Sequence, residues 1–332
     1  MFNKISHMLK SEILDRLLVR STILTNIFFL ISDSGSPKNR FLRVQIINRA
    51  VEQLRRKNRS IKFLGNLLIT PDVTYIDAGG IFLNTNFTNR YLKTPKKNSS
   101  EINEGKDLAS FLENNKIIPK TFVDVGANVG EITFYFAKHF PKCDILAIEP
   151  STENYNNFLH NYEFNQKLGL RSNIKLAKLA VSDHSGKVDI TVGQRGENSI
   201  IIDKRNPQLP KLKSVKTERV PCDRIDSVTN KYGFKTVDFM KIDIEGAEPY
   251  LKEGLIKILP VAMFMELSNS GDTSGYEDLI NELYLNGYES FNINGVPFEN
   301  QLELINHLRQ TVSTIERGTI ARLDCWFIRQ VK

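Results

Sequence analysis

The C-terminal two-thirds of this 332-residue chain predicts an α/β fold, a mostly parallel, doubly wound sheet with helices on both faces. Three observations carry that expectation. Short β-branched runs alternate with amphipathic helical runs from about residue 120 onward, the rhythm of a parallel sheet joined by crossover helices. A glycine-bearing turn, Asp124-Val125-Gly126-Ala127-Asn128-Val129-Gly130, stands directly between an apolar run and a helical one. Residues 261–267 are almost wholly apolar and short, as in a strand buried on both faces.

The elements follow in order. Residues 1–32 read as helical, with Ile13, Leu17, Leu18, Ile23 and Leu24 near helical spacing. Within them, 23–31 is the most apolar early stretch, too short for the ~20 residues that span a bilayer. Glu12, Asp15, Arg16 and Arg20 precede it, unlike the short basic start of a leader peptide. Asp33-Ser34-Gly35-Ser36-Pro37 breaks the pattern, and a basic helical stretch follows over 41–57. Residues 61–93 alternate as strands do, and 94–105 is a polar run expected as a linker. The division is therefore a basic, largely helical extension (1–105) with a short β segment, and an α/β domain (106–332).

In that domain strands are expected over 122–125, 144–148, 174–181, 187–192, 237–242, 261–267, 288–293 and 324–329. Helices are expected from Gly130 to His139 and over 152–166, 247–259 and 275–286.

Charge is unevenly placed. Residues 1–100 hold 17 Lys/Arg against 6 Asp/Glu, and the remainder 28 against 32. The basic character belongs to the extension, where it suits an anionic surface or simple solvation. Cys143, Cys222 and Cys325 form no CxxC pair and no metal spacing with the five histidines. They read as buried apolar residues in a reducing, cytoplasmic compartment.

Chemistry concentrates at strand ends, where open α/β sheets bind ligands. The turn at 124–130 fails a dinucleotide fingerprint, because Asn128 and Glu131 stand where glycines are required. Carboxylates at Asp124 and Glu131 suit a cationic amino-acid ligand better than a pyrophosphate, which favours S-adenosylmethionine over NAD. Glu149 ends the next strand, placed to accept two hydrogen bonds from a ribose diol. Ser182-Asp183 ends the third, where it would bracket the adenine amine; His184 reads as a solvent-facing turn residue. In Lys241-Ile242-Asp243-Ile244-Glu245, three charged groups alternate with isoleucines, so they share one side. Glu266 ends the following strand. Asp243, Glu245 and Glu266 are candidates to bind acceptor hydroxyls and take a proton, and Lys241 to pair with an acid or stabilise a developing alkoxide. Two carboxylates would also suit a divalent metal, but no third ligand is evident in the sequence, so none is expected.

These pieces resemble the FkbM family of S-adenosylmethionine-dependent methyltransferases. The resemblance rests on Asp124–Gly130, Glu149-Pro150, Ala180-Val181-Ser182-Asp183 with Gly186, Asn198-Ser199, a strand over 220–226, the run from Met240 to Glu248, and Glu266, in the family's order. It implies a Rossmann-like class I methyltransferase with seven strands, the last antiparallel, and O-methylation of a sugar or natural-product hydroxyl. Asp124, Gly126, Asn128, Gly130 and Glu149 would form the cofactor site, and Asp243, Glu245 and Glu266 the reaction cleft. Substrate choice is expected in residues 1–100 and the loop 195–216. The expected partner is a small-molecule or glycan hydroxyl acceptor rather than nucleic acid, with a weak peripheral membrane contact through the basic extension; the alternatives are an RNA methyltransferase that uses that extension and a catalytically inactive binding module of the same fold. Amino-methylating enzymes carry a [DN]-P-P-aromatic motif where this chain has Asp-Ile-Glu-Gly, and Pro221-Cys222 lies before the fourth strand, where a cytosine-carbon nucleophile would not sit.

Overall fold

The computed structural model describes residues 100–170, 173–192, 201–202, 216–269, 273–313 and 321–330, with strand residues 62–64, 67–69, 74–77 and 82–84. The expected helices at 1–32 and 41–57, the breaker at 33–37, Asn198-Ser199 and all of the loop 195–216 except residues 201, 202 and 216 lie outside the described residues.

The chain divides into two compact units, Met1–Glu104 with His160–Leu168, and Gly105–Leu159 with Gly169–Lys332. In the first, β1 (Lys62–Leu64), β2 (Leu67–Ile69), β3 (Thr74–Asp77) and β4 (Phe82–Asn84) form an antiparallel meander in sequence order. That is the expected short β segment.

The second is built on seven strands: β5 (Thr121–Val125), β6 (Asp144–Ile148), β7 (Asn173–Ala177), β11 (Phe239–Ile242), β12 (Ala262–Asn269), β13 (Tyr288–Asn292) and β14 (Ala321–Arg329). Their order across the sheet is β13-β14-β12-β11-β5-β6-β7. The pairs β5–β6, β6–β7, β5–β11 and β11–β12 are parallel, and β14 is antiparallel to both its neighbours. This is the Rossmann-like class I methyltransferase sheet, with β14 running in reverse. The order switches between β5 and β11, the point at which ligands of such sheets sit.

Strand alternation assigns the two faces. Phe122, Ile145, Phe239, Phe264 and Trp326 pack on one face, with Leu108, Leu112, Ile132 and Phe136. Val123, Leu146, Met240, Met263, Met265 and Phe327 pack on the other. With both faces covered, these strands have no polar side, which is why they read as continuous apolar runs.

Helices α1 (Ser100–Asn114), α2 (Glu131–His139), α3 (Thr152–Lys167), α4 (Ile225–Lys231), α5 (Lys252–Ile258), α6 (Ser274–Leu285) and α7 (Gln301–Ser313) connect the set. A small sheet of β8 (Ala180–Val181), β10 (Thr217–Asp223) and β9 (Gly186–Thr191) lies beside them in that order.

Several expectations are corrected. The polar run at 94–105 is not all linker: α1 begins at Ser100, and Leu108 and Leu112, one turn apart, bury its apolar side. The single strand at 174–181 is two, with β7 in the main sheet and β8 paired to β10. The strand at 220–226 ends at Asp223, and Asp226 lies in α4, paired with Arg224 and Lys257. The helix at 247–259 opens as a 3-10 turn over Glu248–Leu251, where Pro249 removes a backbone donor, and only then becomes α5. Helix α7 has no counterpart among the expected helices; Asn300 Oδ1 accepts from the amides of Leu302 and Glu303 at 3.0 and 3.1 Å and starts it. All three cysteines are free and buried, as expected.

Candidate functional site

The face of the sheet that carries Phe122, Phe239, Phe264 and Trp326 turns from apolar to charged at one edge. Two residues beyond these aromatics, on the same side of their strands, come Asp124, Lys241 and Glu266, and on reversed β14 come Asp324 and then Arg322. Strand pairing sets Asp124 beside Lys241 and Glu266 beside Asp324. The Asp243 amide continues the ladder to Val125 O at 3.1 Å. Charged side chains from four strands thus gather along one edge because register, not sequence proximity, brings them there.

The glycine turn is locked onto the tip of β6. The amides of Gly126 and Ala127 both donate to Ile148 O at 3.0 Å, and the Asn128 amide donates to Glu149 Oε2 at 3.0 Å. Gly126, Asn128 and Gly130 all have positive φ (81°, 51° and 93°). A Cβ on Gly126 would stand 1.9 Å from Asp243 O, so glycine is what lets the tips of β5 and β11 approach.

Asp124 is buried, and Thr133, from the first turn of α2, donates its hydroxyl to Oδ2. Its Oδ1 is buried and receives no hydrogen bond. Burial pushes the Asp124 carboxyl above its usual range, against the pull of Lys241 and Thr133. A buried acceptor without a donor is costly, and a ligand ammonium or amine is the kind of group that would satisfy it. The residues therefore fit an amino-acid-bearing nucleoside.

Glu149 is buried too, and burial raises its carboxyl to about 7. It accepts from the Asn128 amide on Oε2, and from the Ser151 amide (3.0 Å) and Asn154 Nδ2 (3.3 Å) on Oε1. A carboxylate has about four acceptor positions. One remains, on Oε2, so the expected pair of bonds to a diol requires Asn154 to give way. Ser182 is buried and donates to Asp183 Oδ1 at 3.2 Å, and His184 Nδ1 lies 2.8 Å from the same oxygen with its ring half exposed. Cys222 sits in β10 with its thiol pushed up by burial.

At the acidic end, Lys241 Nζ lies 3.0 Å from Asp243 Oδ2, and Asp243 Oδ1 is buried with no hydrogen-bond partner. Arg322 spans the other two acids: Nη2 lies 3.3 and 3.2 Å from Glu245 Oε1 and Oε2, and Nε lies 3.3 Å from Glu266 Oε1. Burial opposes the Arg322 charge, but Glu245, Glu266 and Asp243 outweigh it and hold its pKa above the usual value.

One oxygen from each of Asp243, Glu245 and Glu266 lies within 4.8 Å of the others. Two like charges about 5 Å apart repel by roughly 3 kcal/mol at an effective dielectric near 20. The cluster therefore needs its cations. Glu266, singled out in the sequence as an acid at the end of the next strand, is brought beside Asp243 and Glu245, so the third carboxylate that a divalent site would need, which was not expected, is present.

The turn carrying Glu245 is strained and braced. Glu245 and Gly246 both have positive φ (55° and 92°). Fully buried Glu248 holds the turn by accepting from the amides of Ile244 (3.0 Å) and Gly246 (3.3 Å), and takes the Tyr276 hydroxyl on its other oxygen. Burial raises its carboxyl to about 8. Thr133, Glu248, Tyr276, Arg322 and Asp324 join the site although their sequence positions did not single them out. Of these, Glu248, inside the run from Met240 to Glu248, stood where a motif could have pointed to it.

A family model described as the methyltransferase FkbM domain matches residues 124–290, half of the chain. Methyltransferase 1 of Beauveria bassiana (strain ARSEF 2860) is 25% identical over 158 residues, 45% of this chain and 61% of that protein. Methyltransferase sdnD of Sordaria araneosa is 26% identical over 156 residues, 40% of this chain and 59% of that protein. The chain thus spans about three fifths of the length of these curated relatives. Among solved structures, the FkbM methyltransferase of Methylobacillus flagellatus KT shares 15% identity over 63% of this chain and 43% of that one, with a TM-score of 0.38. The plantazolicin methyltransferase BpumL in complex with SAH shares 16% over 74% and 88%, with a TM-score of 0.37.

Proposed function

Because the chain belongs to the FkbM methyltransferase family, we propose that it binds S-adenosylmethionine at the tips of β5 and β6 and methylates a hydroxyl oxygen on a sugar, glycan or other small natural-product acceptor. The observation that carries the cofactor reading is Asp124 Oδ1, a buried acceptor lacking a donor at the switch point of the sheet. Gly126, Asn128 and Gly130 shape the turn around the ligand, Glu149 takes a ribose hydroxyl, and Ser182 with Asp183 bounds the adenine. Bound there, the sulfonium supplies the methyl group and leaves as the thioether of S-adenosylhomocysteine.

The chain's own work is to place the acceptor oxygen in line and receive its proton. Asp243 is the base in this reading: Lys241 occupies Oδ2 and leaves Oδ1 for the acceptor hydroxyl. Glu245 and Glu266 bind neighbouring hydroxyls. Four carboxylates (Asp243, Glu245, Glu266, Asp324) against Lys241 and Arg322 leave this edge with an excess of negative charge, which favours a neutral polyol over a polyanion. The basic extension, with 17 Lys/Arg against 6 Asp/Glu in residues 1–100, is what speaks for RNA as acceptor. The acidic edge speaks against it.

The test is transfer of labelled methyl groups from S-adenosylmethionine to fractionated glycans, lipids, RNA and small metabolites, with calorimetry against S-adenosylhomocysteine. Label in a polyol fraction, lost in Asp243→Asn while S-adenosylhomocysteine affinity persists, is the expected result. Absence of nucleoside binding sinks the enzymatic reading, and label confined to RNA sinks the choice of acceptor.

A further inference from the structure

We infer that Arg322 is a built-in cation that fills, with its guanidinium, the seat a divalent ion would otherwise take among Asp243, Glu245 and Glu266, and so sets Glu245 and Glu266 without a metal. The three acids converge from two strand ends with oxygens within 4.8 Å of one another, a spacing that demands positive charge. Lys241 serves Asp243. The two glutamates are served from β14, by two different nitrogens of one planar group: Nη2 on both oxygens of Glu245, and Nε on Glu266.

A planar fork that engages two separate carboxylates is what arginine offers and lysine does not. A divalent ion would need several of the same oxygens in its inner shell, at 2.0–2.6 Å, and would have to expel the guanidinium to reach them. Arg322 lies outside the stretch 124–290 that matches the family, so this counter-ion comes from a strand the match does not include. The side chain is half exposed, and its removal opens the seat to solvent without leaving a cavity in the core.

The experiment titrates Mn²⁺ against the full chain in four forms, wild type, Arg322→Ala, Arg322→Lys and Arg322→Ala/Glu266→Gln, reading thermal shift and calorimetric binding. Arg322→Ala should gain saturable Mn²⁺ binding at least tenfold tighter than wild type, the added Glu266→Gln should abolish the gain, and Arg322→Lys, which keeps the charge but not the fork, should fall between wild type and Arg322→Ala. Wild type binding Mn²⁺ as tightly as Arg322→Ala overturns the inference, as does a folded Arg322→Ala that gains nothing. Should Arg322→Ala fail to fold, Arg322→Gln, which keeps much of the stem, takes its place under the same criteria. Calorimetry with S-adenosylhomocysteine on wild type is a separate readout: its failure removes the proposed function and leaves the cation assignment standing.

Discussion

Glu149 and Glu248 are buried carboxyls held near neutrality, Glu149 at about 7 and Glu248 at about 8, each because burial outweighs the donors around it. A folded pKa above the ordinary carboxylate value means that the native state keeps a proton the unfolded chain gives up. Stability from that proton is full below about 4.5 and is lost as pH rises through the folded value. If Glu149 takes a ribose hydroxyl as proposed, cofactor affinity should run the other way, since the anion is the stronger acceptor and has no proton to displace. Affinity for S-adenosylhomocysteine should rise as pH passes 7, and Glu149→Gln should flatten that rise; an unchanged profile in the variant removes Glu149 from the site. Glu248→Gln should keep the fold and lessen the decline in melting temperature between pH 5 and 8. Glu248→Ala should cost about 1–3 kcal/mol in denaturant unfolding, because two amides and the Tyr276 hydroxyl lose their acceptor. Asp124, Glu149 and Asp243 were legible in the sequence because each ends an apolar run. Thr133, Tyr276 and Arg322 were not, since each matters only through a partner 9, 28 or 77 residues away.

Among the elements, the glycine turn and its neighbour strand make the sharpest demand. Gly126 has φ 81°, and a Cβ there meets the carbonyl oxygen of Asp243 at 1.9 Å. Gly126→Ala must therefore push apart the tips of β5 and β11, at a cost of more than about 3 kcal/mol and with loss of S-adenosylhomocysteine binding. Gly169 also has positive φ (99°), but a methyl added there would meet nothing within 4 Å, so Gly169→Ala is the matched control. It should lose roughly 1–2 kcal/mol, from the left-handed backbone alone, and keep the ligand. Equal ligand loss in both variants would show that backbone strain, not the approach of the two tips, governs the site. Strands buried on both faces announced themselves by apolar runs. Helix α7 did not, because its burial rests on Leu304, Ile305 and Leu308 in an otherwise polar segment. The break between β7 and β8 was hidden because Ala177, Leu179, Ala180 and Val181 are all buried although the two strands serve different sheets.

For the molecule as a whole, a seven-stranded, mostly parallel sheet with its last strand reversed was expected from the strands and the family resemblance together, whereas the order across the sheet comes from the structure. A ligand that binds only the folded state adds about 2.7 kcal/mol of apparent stability at a hundredfold excess over its Kd. S-adenosylhomocysteine should therefore raise the melting transition of the full chain, while NAD should leave it unmoved; the reverse outcome would return the fold to the oxidoreductases. No helix among the described residues is long and apolar enough to cross a membrane.

Reversed β14 has one further consequence. It meets β12 through an unbroken ladder from Ala262↔Ile328 to Asn269↔Ala321, in which Glu266 faces Asp324 and Ser268 faces Arg322. A slip of a single residue would present Leu323 and Cys325 to the charged rim in place of those two ions. A one-residue insertion or deletion within this strand, between Leu323 and Trp326, would then act as a polarity switch, converting a hydrophilic rim into a greasy one while the apolar core of the strand holds its place.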